Sequence, residues 1–160
     1  MRAPGALDVV AAHDAAVCLM HMQGEPRTMQ QAPGYVDVVA EVRQFLEDRV
    51  RACEGAGIGR ERLVIDPGFG FGKTLDHNLT LLKQLDRLTE SGLPVMAGLS
   101  RKSVLGTLTG RPVGEREFAG VAAHLAAVAR GARLLRVHNV AAMCDALAIW
   151  NAVEEQLDGT

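Results

Sequence analysis

The sequence predicts an α/β fold built from four βα units, with the strands parallel and the helices outside. Three observations predict it. Four short apolar runs are spaced along the chain, at 16–20, 62–65, 94–99 and 133–137. Each is followed by apolar residues at helical spacing. Each run also ends in polar or soft side chains, at the end where parallel sheets collect their ligands.

Taken in order, residues 1–14 read as the helix of an earlier βα unit, so the N-terminal half of the fold is expected to lie outside this chain. After the first strand, Tyr35, Val38, Val42, Phe45, Leu46, Val50 and Cys53 predict a helix that stops near Gly55 and Gly57. After the second, Leu75, Leu79, Leu82, Leu85 and Leu88 line one helical face, ending near Ser91-Gly92. After the third, a short turn of helix at 103–108 precedes a helix carrying Phe118, Val121, Ala122, Leu125 and Ala129. Val140, Met143, Leu147, Trp150, Val153 and Leu157 make the last amphipathic helix. The strands are short and apolar, as strands buried on both faces should be. Four units are half of an eight-unit TIM barrel, which usually takes about 250 residues. An open doubly wound sheet fits the same alternation.

At 160 residues the chain has room for one domain with a real core. Its net charge of −2 and lack of basic-aromatic interleaving speak against nucleic acid as a partner. The apolar runs are interrupted by charges or histidines, so no membrane-spanning helix is predicted, and no signal-peptide pattern opens the chain. Cys18, Cys53 and Cys144 are odd in number and far apart, which predicts buried free thiols in a reducing cytoplasm and no zinc site.

The most informative stretch is Leu63-Val64-Ile65-Asp66-Pro67-Gly68-Phe69-Gly70-Phe71-Gly72-Lys73. A strand ends in a carboxylate, proline stops the ladder, and alternating glycines let the backbone approach a flat ligand. A carboxylate beside aromatic faces suits a planar heterocycle rich in N–H donors. A P-loop is excluded because the position needing its first glycine is Pro67. The dinucleotide fingerprint is excluded because Lys73 stands where its third glycine belongs.

The other strand ends add charge. Arg136 and His138 lie two residues apart, which places them on one face of their strand and suits an anion with several oxygens. Each also has a structural reading, as an ion-paired arginine and a hydrogen-bonded core histidine. Ser100-Arg101-Lys102-Ser103 opens a helical turn and suits a carboxylate or phosphate, or else a serine helix cap. His21, between Met20 and Met22, has no second ligand at metal spacing and reads as a satisfied core histidine or a pocket wall; the methionines suit packing on something flat. His13, His77 and His124 have no partner at useful spacing and are assigned no function. Glu115-Arg116-Glu117 and Glu154-Glu155 read as solvated helix faces.

Leu19-Met20-His21-Met22-Gln23-Gly24, the Asp66-to-Lys73 run, Gly98-Leu99-Ser100-Arg101-Lys102-Ser103 and Arg136-Val137-His138 occur in this order. Together they resemble the bacterial dihydropteroate synthases, over essentially the whole chain but only the C-terminal part of those enzymes. The resemblance implies a (βα)8 barrel, of which residues 1–160 would be the C-terminal half. It implies a cytoplasmic transferase of folate biosynthesis and a sulfonamide target. That enzyme joins 7,8-dihydropterin-6-ylmethyl diphosphate to 4-aminobenzoate and releases pyrophosphate, with Mg²⁺.

Carried over by motif, Asp66 would bind the pterin's ring N–H and amino groups, Met20 would pack on its face, and Gly98 would belong to the same site. Lys102 would contact the pterin and shape the aminobenzoate pocket lined by Phe71 and Ser103. Arg136 and His138 would hold the pyrophosphate; Lys102, Arg136 and His138 are the expected catalytic groups. The family's metal-binding asparagine and two further pterin ligands come from N-terminal strands, so no metal ligand is expected in this chain. Asn139 stands where the family commonly has aspartate. The chain alone is expected to be inactive, and its apolar edge strands to drive either a homodimer that completes a pseudo-barrel or aggregation, or else to leave a half-barrel that is not stable as a monomer. Two other readings are a pterin-binding methyltransferase of the same superfamily, disfavoured by the aminobenzoate-side motif, and a non-catalytic pterin-binding protein.

Overall fold

The computed structural model describes residues 4–158, with side chains through Glu154. Residues 1–3 and the side chains of Glu155 and Leu157 lie outside the described residues. Helix α1 (Ala6–Ala11) leads into strand β1 (Val17–Met20), and α2 (Val38–Gly55) into β2 (Leu63–Asp66). Helices α3 (Leu75–Lys83) and α4 (Asp86–Thr89) precede β3 (Val95–Ala97); α5 (Ser103–Thr109) and α6 (Glu117–Val128) precede β4 (Ala132–Leu135), and α7 (Val140–Asp158) follows it. All strand pairings are parallel and the order is β1-β2-β3-β4. Each strand therefore lies beside its neighbour in sequence, with no switch point of the doubly wound type.

Local chemistry sets the helix starts. The Asp37 carboxylate accepts the backbone N–H groups of Val39 and Ala40, both at 3.0 Å, to cap α2. Thr74 and His77 form a reciprocal capping box on α3. The chain before β1 is tied to β2 by Arg62, whose guanidinium donates to the carbonyls of Val10, His13 and Ala15.

One face of the sheet is core. Val17, Leu19, Leu63, Ile65, Val95 and Ala97 pack under the helices with Val42, Leu46, Leu81, Leu85 and Leu88. The opposite face departs from the expectation of strands buried on both sides. Cys18 is exposed, Met20, Val64 and Met96 are half-buried, and Leu134 is exposed. Only helices cover this sheet, and they lie on one side of it. For the same reason Cys18 is exposed; Cys144, on α7, is exposed as well, and of the three cysteines only Cys53 is buried.

Three helices differ from their predicted faces. The single helix expected over 75–88 breaks after Lys83, and its buried stripe is Leu81, Leu85 and Leu88 while Leu79 is exposed. On α6 the residues turned inward are Gly120, His124 and Ala127, and Phe118 is 87% exposed. That helix is apolar nearly all round, so periodicity could not choose its face. On α7 Met143 is buried, whereas Val140 and Val153 are exposed. Among the described residues no helix is long and apolar enough to cross a membrane.

Gly68 shows how tightly the loop after β2 sits on β1. Its φ is +67°, and a Cβ there would stand 1.9 Å from the His21 carbonyl oxygen. Gly68→Ala is expected to cost about 2–4 kcal/mol, from overpacking together with positive-φ strain. Chemical denaturation reads this directly, and an unchanged midpoint and slope would refute the packing described.

Candidate active site

Asp66 ends β2 and is only 1% exposed. One carboxylate oxygen accepts the Gly68 N–H at 2.7 Å, and the other lies 3.5 Å from the Arg136 guanidinium. Burial raises its pKa above the ordinary carboxylate value; the Gly68 N–H, Lys102, Arg136 and Lys73 oppose that rise. Met20 is its register partner on β1.

Arg136 follows β4 and reaches Asp66 across β3. Gly98 stands just past the end of β3 at that point, and a Cβ there would lie 3.1 Å from Nη2 and 3.2 Å from Nε of Arg136. Gly98 thus leaves the lane in which the guanidinium lies. The Arg136 side chain is 54% exposed, so its pairing with Asp66 leaves it open to a ligand.

Lys102 comes in from the loop after β3. Its ammonium donates to the Phe69 carbonyl and lies 4.5 Å from the centre of the Phe71 ring. Burial lowers its pKa to about 8, with Asp66 opposing and Arg136 adding to the fall. The two phenylalanines of the loop therefore part company. Phe69 is fully buried in the core, and only Phe71 offers a ring to the site. Ser103 is exposed at the first residue of α5, next to Lys102.

The serine-cap reading of this turn fails. The N-cap of α5 is Lys102, with no side-chain cap bond, and the Ser100 hydroxyl is engaged elsewhere. It lies 2.8 Å from Nδ1 of His138, itself exposed, and 3.4 Å from the His138 backbone N. Asn139 donates to the Glu117 carboxylate at 2.6 Å and caps Ala142 N–H at 3.1 Å.

Lys73, to which the sequence assigned no role in the site, holds this arrangement together with His21. Lys73 turns inward and is 4% exposed. Its Nζ donates to the carbonyls of Gly68 at 2.9 Å and Phe71 at 3.1 Å, and pairs with Nδ1 of His21 at 2.9 Å. Burial lowers its pKa to about 7, Lys102 adds to the fall and Asp66 opposes it. His21 is buried against Phe45, as the core reading of that residue predicted. The alternating glycines serve this packing first: Gly68 and Gly72 press against the carbonyls of His21 and Gln23.

His124, expected to lack a partner, is fully buried behind the loop after β3. Its Nδ1 is 2.7 Å from the Gly120 carbonyl, so it carries the proton, and Nε2 accepts the Leu99 N–H at 3.1 Å. Burial lowers its pKa, which keeps the ring neutral in that role. Partners also exist for His13, on the Val9 carbonyl, and for His77, in the α3 cap. A cleft of about 220 Å³ between α2 and α4, rimmed by paired charges such as Arg43 and Glu90, contains none of the site residues.

The fold and site define a parallel βα protein that gathers a buried carboxylate and several cations at the C-terminal ends of its strands. Residues 1–138 match the family described as pterin binding enzymes, and the chain belongs to that family. The dihydropteroate synthase of Haemophilus influenzae is 47% identical over 152 residues, which cover 95% of this chain and 55% of that protein. The crystal structure of the Stenotrophomonas maltophilia dihydropteroate synthase superposes with a TM-score of 0.93 at 60% identity, over 96% of this chain and 58% of that one. The Xanthomonas albilineans dihydropteroate synthase in complex with 7,8-dihydropteroate gives 0.88 at 56% identity, over 96% and 57%. The chain thus spans a little over half the length of these relatives.

The pKa of Lys102 fixes a pH dependence. Its charge is present below about pH 8 and lost above it. Sulfate, whose own charge is constant in this range, is expected to bind more weakly at about pH 9 than at about pH 7. Calorimetry at both values tests this, and Lys102→Met should flatten the difference. An equal pH dependence in that variant would place the titrating group elsewhere.

Proposed function

We propose that this chain carries the pterin- and pyrophosphate-binding half of a dihydropteroate synthase, as the C-terminal four units of an eight-unit barrel. The observation that carries the reading is the buried Asp66 carboxylate held beside Lys102 and Arg136 at the strand ends. A carboxylate with two acceptor oxygens complements the ring N–H and amino group of a pterin. Sequential strand order and an uncovered second sheet face support the half-barrel, since four more units would close over Cys18, Val64, Met96 and Leu134.

The reaction condenses 7,8-dihydropterin-6-ylmethyl diphosphate with 4-aminobenzoate. The aryl amine nitrogen attacks the pterin methylene carbon, the C–O bond to diphosphate breaks, and the amine loses a proton. Asp66 orients the pterin, with Met20 against its face and Gly98 leaving the space beside it. Lys102, Arg136 and His138 meet the negative charge that develops on the leaving oxygens. Phe71 and Ser103 flank the 4-aminobenzoate side. The amine is nucleophilic when neutral, so the attack itself requires no general base.

The family resemblance implies Mg²⁺ for the diphosphate. Among the described residues no group of three or more His, Cys, Asp or Glu side chains is placed to hold a metal, so no step is assigned to it. Three free thiols, Cys18, Cys53 and Cys144, support a reducing, cytoplasmic setting.

Asp66→Asn is expected to weaken binding of a pterin by roughly 10- to 100-fold, because a charged acceptor is replaced and a ring donor loses its partner. Calorimetry with a soluble pterin measures this, and unchanged affinity would remove Asp66 from the pterin site. Pyrophosphate release from both substrates is expected only when the chain is combined with the unmatched N-terminal portion of a relative such as the Haemophilus enzyme. Full turnover by residues 1–160 as a monomer, checked by light scattering, would refute the half-barrel. β1 and β4 each leave one edge unpaired, so the chain alone is expected to self-associate.

A further inference from the structure

We infer that Ser100 is a positioning residue that fixes the tautomer of His138, so that His138 presents an Nε2–H donor to the bound anion. The inference rests on the reading of His138 as part of the anion site and deepens it.

The hydrogen bonds made within the protein point to one tautomer. The Ser100 hydroxyl has one proton and two lone pairs. The His138 backbone N–H approaches Oγ at 3.4 Å and uses a lone pair. Nδ1 of the His138 ring lies 2.8 Å from the same oxygen. No other partner of Oγ occurs among the described residues. If Nδ1 carried the ring proton, Oγ would take two donors and its own proton would be left to solvent, since Ser100 is half-buried; only a hydroxyl donating to Nδ1 uses that proton within the protein. The consistent arrangement has the hydroxyl donating to Nδ1. The neutral ring then carries its proton on Nε2, and His138 is exposed, so that edge is open to a ligand.

The hydroxyl serves both charge states of the ring. When the imidazole is protonated, Nδ1–H donates to Oγ and the hydroxyl rotates away. Nε2 keeps its proton in either case. A phosphate oxygen therefore meets a donor throughout, which a ring free to flip or change tautomer does not guarantee.

The serine is itself held in place. Its neighbour Leu99 donates its N–H to the buried His124, whose Nδ1–H is anchored on the Gly120 carbonyl. The two histidines thus have opposite tautomers, each set by one hydrogen bond. Ser100 joins the loop after β3 to the segment after β4, two elements 38 residues apart in sequence. The same loop carries Lys102 to the Phe69 carbonyl.

The test uses the whole 160-residue chain with pyrophosphate as the probe, and compares wild type with Ser100→Ala, Ser100→Thr and His138→Ala. Nitrogen-15 spectra of the histidine rings should show Nδ1 of His138 unprotonated and Nε2 protonated in wild type. Ser100→Ala should shift this towards a mixture, and threonine, which keeps the hydroxyl, should restore it. Pyrophosphate affinity should fall roughly 3- to 10-fold in Ser100→Ala and recover in Ser100→Thr. A fold defect would instead move the His124 signals as well, and threonine would not correct it. An Nδ1-protonated His138 in wild type, or wild-type spectra and affinity in Ser100→Ala, would overturn the inference. If His138→Ala binds pyrophosphate normally while the tautomer still depends on Ser100, the positioning stands and the anion-site reading of His138 falls.

Discussion

The buried ammonium of Lys73 is the interaction on which the rest of the site depends. It is tied to two carbonyls of the loop that follows β2 and to the ring of His21 after β1. Three contacts match the three protons of an ammonium group. Without them the Gly68 and Phe71 carbonyls would be left without these partners beside a buried loop, and the loop would lose its seat on β1. The same loop presents the Phe69 carbonyl that accepts from Lys102 and the Gly68 N–H that donates to Asp66. One buried cation thus sets the positions of another cation and of the carboxylate between them.

The electrostatics of this cluster are unbalanced in a way that suits a ligand. Lys73, Lys102 and Arg136 all act on the single carboxylate of Asp66. Burial pushes both lysines down, to about 7 and about 8, and pushes Asp66 up. A structural ion-pair network would bring the charges nearer to balance. Here the positive excess faces the strand ends, where Arg136 and His138 remain exposed. An incoming polyanion would satisfy charges that the folded chain leaves partly unmet, and this is how perturbed groups cluster at functional sites.

Space is controlled as closely as charge. Gly98 is where the Arg136 side chain crosses the sheet, and the φ of Gly68 allows a backbone contact with β1 that no side chain would permit. The glycines of the 66–73 run suggest, as a sequence, a backbone open to a flat ligand. In the fold they first bring two loops into contact, and the groups gathered at the strand ends are fewer: the Phe71 ring, Lys102, the buried Asp66 and the guanidinium of Arg136.

The sequence by itself determined the order of the four βα units, the strand positions to within a few residues, and the residue types at each strand end. Those follow from apolar periodicity and from the backbone limits of proline and glycine, which act over short distances along the chain. It did not separate Phe69 from Phe71, because alternation in a glycine loop has no fixed inside. It could not choose the buried face of α6, where nearly every position is apolar. Nor could it show that one side of the sheet is uncovered, since short apolar strands look alike whether one face is packed or both. Only the tertiary structure decided the distant partners of Lys73, Ser100, His124 and Arg136, which lie 25 to 70 residues away along the chain; the local carbonyls that Lys73 also meets are within reach because the loop folds back. Polar side chains are placed by through-space hydrogen bonds and charges, and those carry no signature in local spacing.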